Sequence, residues 1–178
     1  AWTATATSVN SGTENITTNG MAVNLAAVTT GNGFNVTNTG TATTLTGSGL
    51  ADSLTGGSGA DLLNGGAGAD TLLGAAGNDI LTGGVGTDSM DGGEGSDLYM
   101  IAAIAEHSAA EITDNGSTGV DELRFSSTTA STLTLFAGDT GLELVAIGTG
   151  TGATMSSISG GITSSGFTIT NAGSGYIE

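Results

Sequence analysis

The sequence predicts an all-β fold, a parallel β-roll (solenoid) flanked by β-rich segments, and three observations lead there. Six nonapeptides follow one another without an insertion from residue 47 to residue 100. Thr with isolated Val, Ile and Leu fills much of the rest, which suits strands, while 33 Gly residues supply turns. Pro and Cys are both absent, so neither a disulfide scaffold nor a thiolate metal site organises the chain.

The composition also limits the partners. Seventeen acidic residues face one Arg, one His and no Lys, a net charge of −16 over 178 residues. Such a chain repels nucleic acid and anionic membrane surfaces and attracts divalent cations. Yet 37% of residues are hydrophobic and only 10% charged, too apolar a balance for acidic disorder. No apolar run approaches the roughly 18 residues of a membrane span. Residues 1–10 lack the basic start and apolar block of a signal peptide. A chain opening on Ala1 reads as processed or excised.

The repeats are GSGLADSLT, GGSGADLLN, GGAGADTLL, GAAGNDILT, GGVGTDSMD and GGEGSDLYM. Position six is always Asp: Asp52, Asp61, Asp70, Asp79, Asp88 and Asp97. Position eight is always apolar: Leu54, Leu63, Leu72, Leu81, Met90 and Tyr99. Nine residues divide into a six-residue turn and a three-residue strand too short to stand alone. Two nonapeptides then make one coil of 18 residues, with strands on opposite faces and position eight lining a thin interior. Gly at positions one, two and four permits a backbone that a Cβ would obstruct. Tight turns aim carbonyl oxygens between neighbouring coils, and calcium takes six to eight hard oxygens at about 2.3–2.6 Å.

The apolar register reaches further back than the Asp register. Val36 and Leu45 fall eighteen and nine residues before Leu54, so residues 38–46 (NTGTATTLT) read as a degenerate nonapeptide with Thr43 in the Asp position.

The block resembles the RTX family of secreted proteases, lipases, toxins, adhesins and some surface-layer proteins, whose signature is GGxGxDxUx. The resemblance implies a calcium-stabilised β-roll with each ion held between successive turns on one edge. The first turn gives carbonyls of positions two and four and its Asp; the second gives those of positions one and three and its Asp. On one edge this implies a site from Ser48, Leu50, Asp52, Gly65, Ala67 and Asp70, then one from Gly66, Gly68, Asp70, Gly83, Val85 and Asp88. The other edge would use Gly57, Gly59, Asp61, Gly74, Ala76 and Asp79, then Ala75, Gly77, Asp79, Gly92, Glu94 and Asp97. Ser48, Leu50 and Ala75 depart from the Gly consensus, and the first site is the weakest match. A half-built fifth would pair Thr43 with Asp61.

The chain thus divides into a β-rich N-terminal segment (residues 1–46) leading into the roll, the roll itself (47–100), and a β-rich C-terminal segment (101–178). In the last, Asp114, Asp121 and Glu122 read as an acidic surface turn, with one further ion as the alternative. Residues 102–110 suit a short helical turn. GFNVTNTG at residues 33–40 matches GFTITNAG at 166–173 in five of eight positions. That self-similarity marks residues 101–178 as a candidate start of a next unit, and both motif copies as strands at the chain's extremities.

Catalytic residues are hard to find. His107 is the only imidazole and reads as a surface or turn residue; Arg124 reads as the partner of a nearby acid. There is no Cys or Lys to serve as nucleophile or base, and no HExxH, GxSxG or GxxxxGK[ST] pattern. Trp2 and Tyr176 are too isolated for a sugar-binding platform. The expectation is a non-enzymatic, calcium-binding building block of an extracellular assembly (surface layer, filament or large adhesin), secreted or at the cell surface, that associates with itself or stands in tandem copies. The alternative is the C-terminal module of a hydrolase or toxin exported by type I secretion.

Overall fold

Position eight of the nonapeptide sets the architecture. Leu54, Leu63, Leu72, Leu81, Met90 and Tyr99 are each at most 1% exposed, in two columns, Leu54, Leu72 and Met90 on one sheet and Leu63, Leu81 and Tyr99 on the other. Their flanking neighbours at positions seven and nine point outward, the two-residue alternation of a strand with one buried face. The computed structural model describes residues 1–4, 11–12, 14–109, 111–126, 131–136, 139–147 and 168–171.

Among the described residues five strands precede the repeats: β1 (Trp2–Thr3), β2 (Glu14–Thr18), β3 (Val23–Asn24), β4 (Phe34–Asn38) and β5 (Thr44–Thr46). Six fall within them: β6 (Ser53–Ser58), β7 (Leu62–Ala67), β8 (Thr71–Ala76), β9 (Ile80–Val85), β10 (Ser89–Glu94) and β11 (Leu98–Ile101). A 3-10 turn (Ile104–Glu106) follows, then β12 (Glu122–Phe125), β13 (Ser131–Thr134), β14 (Leu144–Ile147) and β15 (Thr168–Asn171). Up to β11, alternate strands form two parallel sheets, and β12 and β14 then continue the first, so that the orders are β1-β3-β5-β7-β9-β11-β12-β14 and β10-β8-β6-β4-β2. The chain is therefore a parallel β-solenoid, as expected. Among the described residues no helix is long and apolar enough to cross a membrane.

The strands are longer than the three residues expected. Pairing continues past position nine into the turn, as in Gly57↔Ala75 and Ser58↔Ala76, because small residues let adjacent coils stay in contact around the corner. The coil also extends beyond the repeats in both directions. Val36 pairs with Leu54 and Leu45 with Leu63, both buried, so the degenerate nonapeptide is a coil of the stack. Earlier coils are longer: Ile16 pairs with Val36 and Val23 with Leu45, offsets that hide the period in the sequence. Downstream, Tyr99 pairs with Leu123 and Leu123 with Val145, and Ile112 bridges to Met90.

The first copy of the long-range motif is not an extremity. Its strand, β4, is paired on both sides, with β2 and β6. In the second copy only β15 is described, and it runs antiparallel to β13. The two similar segments thus occupy different surroundings, and among the described residues the outermost strands at the start of the stack are β1 and β2. The helical turn is where residues 102–110 suggested it, closed by Glu106 accepting from the N–H groups of Ala102 and Ala103 at 3.0 Å.

Candidate metal centre

Each position-six Asp is pulled into the stack by the backbone of the preceding coil. Its Oδ1 accepts from the N–H of the residue one coil earlier: Phe34 to Asp52 at 2.7 Å, Asp52 to Asp70 at 2.7 Å, and Asp70 to Asp88 at 2.9 Å. On the other edge Thr43 donates to Asp61 at 2.6 Å, Asp61 to Asp79 at 2.7 Å, and Asp79 to Asp97 at 2.7 Å. The carbonyls complete the ladder, for example Thr71 N–H donating to Asp52 O at 2.8 Å. The carboxylates are thereby buried, 1–4% exposed, in two files about one strand spacing (~4.8 Å) apart along each edge.

The second carboxylate oxygen is what the protein leaves open. Oδ2 of Asp61, Asp70, Asp79, Asp88 and Asp97 is buried and has no hydrogen-bond partner. In each turn it stands over the position-one Gly: a Cβ on Gly56 would lie 2.6 Å from Oδ2 of Asp61 and 2.7 Å from the Gly74 carbonyl. Gly65 and Gly74 repeat the arrangement beneath Asp70 and Asp79, facing the Gly83 and Gly92 carbonyls, and Gly83 and Gly92 lie beneath Oδ2 of Asp88 and Asp97. An unpaired anionic oxygen facing a carbonyl of the next coil is costly to bury, and a hard cation satisfies both. The donor set fits calcium: all oxygen, with carboxylates and carbonyls converging.

The remaining expected ligand positions divide by backbone conformation. At position two, Gly57, Gly66 and Ala75 have φ of 124°, 107° and 82°, Ala75 being the non-Gly residue with positive φ among those described. At position four, Gly68 and Gly77 have φ of 128° and 129°, whereas Gly59 and Leu50 are not left-handed. Ala67, Ala76, Val85 and Glu94 end their strands at position three. The Val85 and Glu94 carbonyls each accept from the preceding coil, from Gly68 and Gly77 at 2.8 Å, and keep a second lone pair.

The first turn is built differently. Ser48 closes on Asp52, its N–H and hydroxyl donating to Oδ2 at 2.6 and 2.8 Å. Leu50 turns its side chain onto the apolar core. Asp52 alone among the six repeat carboxylates therefore has partners for both oxygens. Thr43, in the half-built position, has a buried hydroxyl without a partner.

Burial pushes Asp70 up to about 7; the Asp52 N–H opposes this, and the carboxylates of Asp88 and Asp52 add to it. Burial likewise raises Asp79 and Asp97 to about 6 against the hydrogen bonds from Asp61 and Asp79. Asp61 and Asp88 are also raised by burial. Burial thus favours the protonated form of each of these carboxylates when no cation is bound, and for Asp70, Asp79 and Asp97 neighbouring carboxylates add to it.

Two sequence readings need correction. His107 is not on the surface: its ring is buried, Nδ1 3.1 Å from Glu111 and Nε2 3.2 Å from Asp139, with the Phe136 ring alongside. Burial alone would lower its pKa, but the two carboxylates hold it up at about 9. Nor is the second acidic segment a surface turn, since Asp114 and Asp121 are buried. Glu122 pairs with Arg124 at 2.8 Å on the outside, as expected of Arg124. Tyr176 lies outside the described residues.

Asp121 is a rung of the ladder that sequence reasoning missed: Asp97 N–H donates to its Oδ1 at 2.8 Å, and its own N–H donates to Glu143 at 2.8 Å. The signal was present as GSTGVDELR at residues 116–124, which keeps Gly at positions one and four, Asp at six and Leu at eight. It was hidden because residues 101–115 displace it from the nine-residue register.

A solenoid whose turns present stacked, half-satisfied carboxylates defines a class: a calcium-binding structural repeat. The family model for the RTX calcium-binding nonapeptide repeat, in four copies, matches residues 39–72, 46–81 and 65–99. Residues 39–99 are thus RTX repeats, and they bind Ca²⁺. The match begins inside the degenerate nonapeptide and stops before Gly116. No curated protein and no solved structure matches the chain significantly.

Proposed function

We propose that the protein is a non-enzymatic building block of an extracellular assembly, a surface layer, filament or large adhesin, that calcium folds and stiffens. The observation that carries this reading is the pair of carboxylate files, five of whose Oδ2 atoms are buried without partners. Because the ion pockets exist only when coils stack, the free energy of ion binding becomes folding free energy. The only His is committed to Glu111 and the only Arg to Glu122, which leaves no general base outside the carboxylates. RTX repeats are typical of proteins exported by type I secretion, which supports a secreted or cell-surface location. Ions are assigned between Asp70 and Asp88, Asp61 and Asp79, and Asp79 and Asp97. The site between Asp52 and Asp70 is weaker, because Ser48 already holds Asp52.

Self-association fits an open stack, since a terminal coil offers unpaired backbone groups to another chain. The outer strands β1 and β2 are better placed for that contact than β4. Imaging and sedimentation of the purified protein with and without a calcium chelator test the reading. Calcium-dependent particles larger than the monomer are expected; a calcium-loaded protein that stays monomeric at all concentrations would favour the module of a secreted hydrolase or toxin.

A further inference from the structure

Three carboxylates meet where the regular stack gives way to the displaced repeat. Asp97 comes from the last regular turn, Asp121 from GSTGVDELR, and Asp114 from the segment inserted between them. One carboxylate oxygen of each lies within 4.8 Å of the other two, and all three residues are buried, 2%, 7% and 5% exposed for Asp97, Asp114 and Asp121.

Hydrogen bonds orient the group without neutralising it. Asp97 receives Asp79 N–H on Oδ1, and its Oδ2 is buried and unpartnered. Asp121 receives Asp97 N–H. Asp114 receives Gly116 N–H at 2.7 Å on Oδ1 and the Tyr99 hydroxyl at 2.5 Å on Oδ2. That hydroxyl in turn accepts from Gly92 N–H at 2.6 Å, so the last core residue of the roll steers the extra carboxylate. A Cβ on Gly116 would fall on the Gly93 carbonyl and lie 3.0 Å from Oδ1 of Asp114, which puts that carbonyl beside the same space. No side-chain cation is free to help: His107 and Arg124 are held by other acids, and the chain has no Lys.

We propose that Asp97, Asp114 and Asp121 form a separate calcium site that fastens the displaced repeat to the roll. It differs from the sites between regular turns in taking a third carboxylate, from outside any repeat. Calcium suits it because the ion tolerates irregular, carboxylate-rich oxygen cages, whereas magnesium demands a near-octahedral one. The site rests on the reading of the roll as calcium-binding, but it can fail alone.

The test combines calcium counting by calorimetry with terbium luminescence excited through tyrosine, on the full chain. Tyr99 adjoins the site, so the emission that Tyr99→Phe removes reports terbium bound there. Asp114→Asn should bind one calcium fewer per chain, leave the other ions' affinities unchanged, and lose that emission. Asp70→Asn should keep the emission while losing calcium elsewhere. An unchanged calcium count and emission in Asp114→Asn would overturn the site and leave the carboxylates sharing protons instead. Should that variant fail to fold, the wild type decides: a Tyr99-dependent signal that calcium displaces supports the site, and its absence in a calcium-loaded chain overturns it. A wild type that binds no calcium at all would instead refute the roll reading.

Discussion

The backbone N–H of Asp52 donates to Oδ1 of Asp70, eighteen residues on, at 2.7 Å. This bond turns a repeating side chain into part of the sheet ladder and fixes which oxygen is left for the ion. Everything distinctive about the roll follows from repeating it: coil spacing, burial of the carboxylates, and the crowding of charge along each edge. Unit charges at that spacing repel by roughly 3–4 kcal/mol at an effective dielectric constant near 20.

The carboxylates are therefore unequal. Asp70 and Asp79 each stand between two neighbours in their file, whereas Asp52 is already closed by Ser48. Asp70→Asn and Asp79→Asn should each lower the bound calcium more than Asp52→Asn, as counted by calorimetry. Equal losses across the series would show that the ions do not bridge successive turns of one edge.

Ala75 carries backbone strain that its neighbours avoid, with φ of +82° where the equivalent Gly84 has +103°. Ala75→Gly should stabilise the calcium-loaded protein by up to about 1 kcal/mol, strain relief being partly offset by a freer unfolded chain. Gly84→Ala should destabilise it by about 2 kcal/mol or more, since φ is left-handed and its Cβ would strike the Gly66 carbonyl. Denaturant midpoints of both variants check the pair.

Protons and calcium compete for the same oxygens. Asp70, raised to about 7, and Asp79, raised to about 6, bind protons more tightly in the folded metal-free chain than at their ordinary value of 3.8. Their contribution to metal-free stability is thus greatest below 3.8 and is lost as pH rises through 6 to 7. The metal-free chain should show more β-structure by circular dichroism at pH 5 than at pH 8. At a fixed, subsaturating calcium concentration, bound calcium should fall over the same range as pH is lowered.

His107 supplies a cation of the protein's own where Glu111 and Asp139 meet. With its pKa raised to about 9 from 6.5, its stabilisation is full below 6.5 and lost as pH passes 9. His107→Gln leaves two buried carboxylates without a charged partner and should cost about 3–5 kcal/mol. Thermal melts in calcium at pH 7 and pH 10 should converge for the variant and differ for the wild type.

The repeats made the roll legible because each rung falls at a fixed spacing, so Asp and Leu recur where the physics needs them. Val36 and Leu45 extended that register correctly. Earlier coils escaped notice because Ile16↔Val36 and Val23↔Leu45 close over longer loops, which keep the packing but not the count. Gly116 to Arg124 retained the pattern and lost the register to an insertion. The burial of His107 depends on Asp139, far along the chain, and no local pattern announces such a contact. Ser48 is the opposite case: a single departure from Gly marked the one turn where the structure closes the carboxylate itself.

Circular dichroism of the full chain during a calcium titration, reversed by chelator, addresses the central claim most directly. A largely disordered spectrum is expected at cytosol-like calcium, a β-spectrum at millimolar calcium, and return to the first on chelation. A β-spectrum that persists unchanged in chelator at neutral pH would contradict it, because the stacked carboxylates would then be stable without the ion.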